Sequence, residues 1–255
     1  MQFCANAGRD TGALDHAFAS LSLEKMQGST GGTAVRSGKQ STDAGPQQIP
    51  VRNEKDAAAT KELGMLLMAM RKLREGIVAS GRRDEFARRA YIFIIRAAIL
   101  TSTFESYQPA LLHLLYKIHP VCPLSTSEVR EFVGYHILDL VCRLREYGEA
   151  FAVRNRWRFK DRMVEGVLNA LVRDDWLGFW RLKVEVDGYQ RAIMSWAEND
   201  LRSHALKCLG KSYFSVEKSY LERCVGRVWE ELKAKDGVGW ELEGDRVTIR
   251  RIKRR

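Results

Sequence analysis

The residues best suited to metal chemistry are three histidines and two cysteines in the middle of the chain: His113, His119, Cys122, His136 and Cys142. Imidazole and thiolate groups bind zinc, but zinc sites use short paired spacings such as CxxC or HxxxH, and this cluster has neither. The sequence therefore favours structural or surface histidines over a metal site. We expect no metal and no cofactor.

Catalytic motifs are absent from the sequence, which contains no HExxH, GxSxG, Walker loop or GxGxxG. The carboxylate pairs Asp174–Asp175 and Glu230–Glu231 are adjacent, so on helices the two members point in different directions and do not form an acid–base pair. A helix cap and a solvated face account for them better. We expect a protein that is not an enzyme and has no small-molecule substrate.

The cysteines indicate a reducing compartment. There are five of them, an odd number, and they are scattered along the chain, which is typical of buried thiols.

The N-terminus lacks the basic segment followed by an apolar run that a secretory signal would have. Apolar stretches such as 91–95 are far shorter than the ~20 residues of a membrane span. We expect no membrane association and a location in the nucleus and cytoplasm.

The net charge is +10, from 42 Lys and Arg against 32 Asp and Glu, which suits nucleic acid, an anionic surface or an acidic protein as a partner. The cationic side chains form two clusters. The first comprises Arg154, Arg156, Arg158, Lys160 and Arg162, and the second comprises Arg250, Arg251, Lys253, Arg254 and Arg255. Either cluster can contact RNA or an acidic subunit. Alternatively, the first is a solvated helix face and the second a localisation or solubility segment.

Composition and periodicity divide the chain into four parts, which are residues 1–54, 55–199, 200–252 and 253–255. Residues 1–54 are rich in Gly, Ser and Thr and predict a disordered tail, because they cannot bury enough apolar surface to offset chain entropy. Residues 55–199 repeat apolar side chains at three- and four-residue spacing and predict an α-helical repeat domain. A capping box at Ser125 and Glu128 predicts a long helix that runs past Leu144 and ends at Gly148. Residues 253–255 form a basic tail.

Residues 200–252 predict a winged helix, a three-helix unit followed by a β-hairpin. Ser215 is expected to cap a helix over 216–225, Gly226 to end it, and a further helix to span 227–235. Alternating residues on both sides of the Gly244-Asp245 turn predict the hairpin.

The charge of residues 217–236, where a recognition helix would lie, is zero, since five cationic residues meet five acidic ones. Glu230 and Glu231 would face DNA phosphates unfavourably, so direct reading of the major groove is disfavoured.

Earlier in the chain, Trp176, Phe179 and Trp180 share one helical face, which predicts core packing or a subunit contact.

Three segments resemble the small PCI-domain proteins. They are Asp175-Trp176 before a helix, the stretch His204-Ala-Leu-Lys-Cys-Leu-Gly-Lys-Ser-Tyr-Phe-Ser-Val216, and Gly239-Trp-Glu-Leu242 at the first wing strand. This family includes the eighth subunit of the COP9 signalosome, the small lid subunit of the proteasome regulatory particle and the k subunit of translation initiation factor 3. The resemblance covers about Leu63 to Ile252.

The resemblance implies a mainly α-helical fold, a solenoid-like helical bundle followed by a C-terminal winged helix. It also implies a non-catalytic scaffold subunit of COP9 signalosome or proteasome-lid type, in the ubiquitin pathway, whose partners are other PCI-domain subunits. The alternative is a PCI subunit of initiation factor 3 or of an mRNA-export complex that contacts RNA through its basic clusters. We expect the wing strand, through Arg246, Thr248 and Arg250, to offer unpaired backbone groups to a neighbouring subunit's sheet.

Overall fold

The computed structural model describes residues 52–250, with side chains from Thr60 onward. Most of the predicted disordered tail, residues 1–51, and the basic tail lie outside the described residues. Contacts divide the chain into two compact units, one ending at Pro123 and the other beginning at Leu124. We call them the N-terminal and C-terminal units. Within the described range, no helix is both long and apolar enough to cross a bilayer.

Among its described residues, the N-terminal unit contains three helices, which are α1 (Arg52–Ala79), α2 (Glu85–Leu100) and α3 (Phe104–His113), the last extended by a π-helical turn over Leu114–Ile118. Asp84 begins α2 by accepting a hydrogen bond from the backbone N–H of Ala87 at 3.1 Å. Tyr91 is fully buried and stacks on His113, with ring centroids 4.8 Å apart.

The C-terminal unit contains seven helices and three strands among its described residues. These are α4 (Thr126–Asp139, with a π-helical turn over Leu140–Leu144), α5 (Tyr147–Arg156), α6 (Arg162–Val172), α7 (Trp176–Glu185), α8 (Gly188–Ser212), β1 (Ser215–Glu217), α9 (Lys218–Val225), α10 (Trp229–Lys235), β2 (Glu241–Glu243) and β3 (Arg246–Thr248). The chain is mainly helical, as predicted, with a small antiparallel sheet at its C-terminal end. This arrangement is compatible with a helical bundle plus a winged helix.

The sequence predicts the start of α4 correctly but not its end. The backbone N–H of Glu128 donates to Ser125 Oγ at 3.3 Å, and the Ser125 N–H donates to Glu128 Oε2 at 2.8 Å, so the capping box is present. The prediction that Gly148 ends this helix is wrong. The helical turns stop at Leu144, Arg145 adopts a left-handed φ of +58°, and Gly148 lies in the first turn of α5.

The prediction that Ser215 caps a helix is also wrong, because Ser215 begins strand β1 and the helix starts only at Lys218. The sheet has the order β1-β3-β2, and both pairs are antiparallel. Val216 and Val247 are partners in the β1–β3 pair, and both are buried against α9 and α10 in the core of this end of the chain. A distant strand therefore overrides the local helix signal.

Candidate partner-binding surface

Strand β3 is the central strand of the sheet, so the expectation that Arg246, Thr248 and Arg250 offer an open edge is wrong. Arg246 pairs with Glu217 on β1 and with Glu243 on β2, and Thr248 likewise has a partner on each side. Arg250 follows the strand, and its backbone N–H donates to the Phe214 carbonyl at 3.1 Å. The sheet has three strands rather than the expected two, because β1 carries no local strand signal.

The backbone of β2 supplies an outer edge of the sheet. The Ile249 N–H donates to the Phe214 carbonyl at 2.8 Å, and the Lys218 N–H donates to the Asp245 carbonyl at 2.9 Å. These two bonds lie at either end of β3, so along this stretch the odd-numbered residues 245, 247 and 249 bond to the side of β1. Antiparallel pairs alternate, and Arg246 and Thr248 therefore bond to β2. It follows that the N–H and C=O of Leu242 point away from β3. The Leu242 side chain is 38% exposed.

A buried arginine fixes this sheet-bearing end of the chain to the helices before it. Arg202 of α8 is 1% exposed, and its Nε donates to the carbonyl of Val225, at the end of α9, at 3.1 Å. Its other guanidinium nitrogens reach Asn199 at 3.1 Å and Glu198 at 3.4 Å. A cation at the C-terminal end of a helix is also favoured by the helix dipole, so Arg202 ties α9 firmly to α8.

Trp180 of α7 reinforces the same junction. Its indole N–H donates to the Cys224 carbonyl at 3.0 Å, and the Arg202 guanidinium lies 5.5 Å from the centre of its ring. Gly226, with φ of +63°, follows α9, and a Cβ placed there would overlap the Trp180 ring. Only glycine permits both the left-handed turn and this close approach. These contacts hold helices α7, α8 and α9 together.

The aromatic face of α7 is mostly buried against the neighbouring helices. Phe179 is fully buried, and its ring meets that of Trp180 edge to face at 5.2 Å. Trp176 is half-buried and packs against the core shared by α9, α10 and the sheet. Core packing, one of the two predicted roles of this face, accounts for these contacts.

The first cationic cluster lies on α5, on the loop that follows it and at the start of α6. Arg154 pairs with Glu165 at 3.0 Å, whereas Arg156, Arg158, Lys160 and Arg162 are exposed and form no ion pair with another described residue. Arg158 has a left-handed φ of +47°, and Phe159 beside it is buried. The loop is thus anchored in the core, and together with the two helix ends beside it presents four cations to solvent. In the second cluster, Arg251, Lys253, Arg254 and Arg255 lie outside the described residues.

The histidine–cysteine cluster is divided between the two units. His113 and Cys122 belong to the N-terminal unit, and His136 and Cys142 to the C-terminal unit. Burial is the main reason that the pKa of each of these histidines is lowered, and burial raises the pKa of the Cys142 thiol. Among the described residues, no group of three or more His, Cys, Asp and Glu side chains is placed to hold a metal ion.

A cleft that the sequence did not suggest lies between α4, α6 and α8, with a cavity volume of about 240 Å³. His204 at its rim approaches Asp174 at 3.7 Å and the Cys208 thiol at 3.7 Å. Both contacts involve the same ring nitrogen, Nε2. A nucleophile–base–orienter triad needs two different imidazole nitrogens, so this trio does not have the geometry of a catalytic triad.

In comparisons with known proteins, no family model matches the sequence and no curated protein matches it.

Proposed function

We propose that the chain is a non-catalytic scaffold subunit of PCI type, which acts by protein–protein interaction in a multi-subunit complex of COP9 signalosome or proteasome-lid type. The observation that carries the proposal is the junction at Arg202, where α7, α8 and α9 are tied together by a buried guanidinium and the Trp180 indole. A scaffold must hold its contact surfaces in a fixed geometry, and a junction of this kind supports such a role.

The contact assigned to the sheet is the edge of β2. Leu242 directs its backbone N–H and C=O outward, so a strand from a neighbouring subunit can add to the sheet there by main-chain hydrogen bonds. The strand is only three residues long and both begins and ends with a glutamate, features that restrain indiscriminate edge pairing. We therefore expect a partner that pairs with this edge to contact the helical body as well.

Two substitutions at Leu242 separate the backbone contribution from the side chain. Leu242→Ala and Leu242→Pro both remove the leucine side chain, but only Leu242→Pro removes the outward N–H, and proline is tolerated on edge strands. We expect Leu242→Pro to reduce recovery of partner subunits in a pull-down with the full chain, while Leu242→Ala retains them and both variants keep the wild-type circular dichroism. Equal recovery with both variants contradicts the edge assignment.

The second candidate is a PCI subunit of initiation factor 3 or of an mRNA-export complex that contacts RNA. The four exposed cations at Arg156, Arg158, Lys160 and Arg162 favour it, since each can neutralise a phosphate. Replacing all four with glutamine distinguishes the two roles. Loss of RNA from the purified complex with partner subunits retained supports the RNA role, whereas an unchanged RNA content contradicts it.

A further inference from the structure

Two stretches of the sequence that contain no acidic residue meet at the C-terminal end of α8. Residues 201–216 have no Asp or Glu, and neither do residues 246–250. Strand β1 pairs with β3, and the backbone N–H groups of Ile249 and Arg250 both donate to the Phe214 carbonyl, at 2.8 and 3.1 Å. The fold therefore brings together, at the C-terminal end of α8, cationic residues that are far apart in sequence.

Two exposed aromatic rings lie at the same place. Tyr213 is 43% exposed and Phe214 is 55% exposed. The guanidinium carbon of Arg250 lies 5.2 Å from the centre of the Phe214 ring, and Arg250 Nη2 donates to the Lys211 carbonyl at 2.7 Å. The cation is thus fixed beside the ring by a hydrogen bond to the end of α8.

Lys207 and Lys211 extend this cationic surface along α8. Both are exposed, and a spacing of four places them on one side of the helix. We infer that the surface formed by Lys207, Lys211, Tyr213, Phe214 and Arg250, which we call the α8-end surface, binds single-stranded nucleic acid. The lysines and Arg250 contact phosphates, and unpaired bases stack on the two rings.

The combination of rings and cations favours this ligand over an acidic peptide or a lipid surface. An acidic peptide would be bound by the cations alone and would leave the rings in water. A lipid surface is bound by a larger apolar face than two rings provide. Duplex DNA keeps its bases stacked inside the helix, whereas single strands offer them to aromatic side chains. This site goes beyond the proposed scaffold role and is independent of it.

The test is fluorescence anisotropy of a labelled twelve-nucleotide oligouridine with the full chain, over a series of salt concentrations. Phe214→Leu keeps an apolar side chain but removes the stacking face, and we expect affinity to fall by about tenfold. Replacing Lys207 and Lys211 with glutamine should reduce the slope of log affinity against log salt by about 1.4, since each phosphate contact on a single strand contributes about 0.7.

The matched control replaces Arg173 and Arg181 with glutamine, two exposed arginines of the same unit outside this surface, and should leave the slope unchanged. The inference is overturned if the wild-type chain does not bind the oligonucleotide. It is equally overturned if Phe214→Leu and the lysine variant bind as wild type, or if polyglutamate or anionic phosphatidylserine vesicles displace the oligonucleotide at equal charge concentration. Circular dichroism verifies that each variant is folded.

Discussion

Gly226→Ala tests the junction between α7 and α9 directly. A Cβ at this position would approach two atoms of the Trp180 ring at 2.6 Å, which is closer than real Cβ contacts allow. The left-handed φ of +63° alone costs an alanine about 1 kcal/mol. Displacing the indole costs about 1 kcal/mol for its hydrogen bond to Cys224 and about 2 kcal/mol for packing strain. We expect a destabilisation of about 4 kcal/mol from these contributions together.

Gly237→Ala is the matched control. Gly237 has nearly the same φ, +61°, but no atom lies within 4 Å of the place that a Cβ would occupy, so its substitution should cost only the backbone contribution of about 1 kcal/mol. All six tryptophans lie in the C-terminal unit, so urea unfolding followed by tryptophan fluorescence reports on that unit. Equal destabilisation by the two substitutions would refute the close packing of Trp180.

Three further predictions concern the sheet, the thiols and the N-terminal segment. Thr248→Pro removes a hydrogen bond from the central strand and should lower the free energy of unfolding by about 3 kcal/mol; a midpoint in urea equal to that of wild type would contradict the strand order. At pH 8, Cys142 should resist iodoacetamide, because burial raises the pKa of its thiol and keeps the thiol protonated, whereas the half-buried Cys208 should react. Peptide mass spectrometry measures the labelling of both cysteines, and prompt labelling of Cys142 would count against its burial. Limited proteolysis should remove residues 1–54 and leave a resistant body beginning near Lys55, and a protected N-terminus would show that this segment packs on the fold.

The sequence predicts the helices well because their signals are local. Apolar spacing over residues 55–199 predicts a helical domain, and the capping box between Ser125 and Glu128 defines the start of α4 without reference to the rest of the chain. The end of α4 is harder to predict because the helix widens into a π-helical turn and stops at Arg145 in a left-handed conformation. Glycine is the usual residue in that conformation, and so the sequence points to Gly148 instead.

The strand β1 and the position of β3 depend on contacts between distant residues. Ser215–Glu217 has the local pattern of a helix cap, and only its pairing with Arg246–Thr248 makes it a strand. A hairpin predicted from sequence has two edges, and a third strand converts one of them into the centre of the sheet. This is why the open edge of the sheet lies at Leu242 and not at Arg246, Thr248 and Arg250.

The junction at Arg202 escapes sequence-based prediction for a different reason. Arginine is almost never fully buried unless it is paired, and the partners of Arg202 are chiefly a backbone carbonyl and residues of its own helix, which leave no motif. One available signal is the position of Arg202 within α8, where Leu201 and Ala205 are also buried. The cationic cluster around Arg158, in contrast, is visible from the alternation of charge in the sequence.

The most direct test of the scaffold role is the mass of the native assembly. The tagged full chain, expressed at its natural level, is purified under mild conditions and measured by native mass spectrometry. A scaffold subunit should be recovered in an assembly several times its own 29.1 kDa, with partner subunits in fixed stoichiometry. Recovery as a monomer of 29.1 kDa with no stoichiometric partner would contradict the proposal.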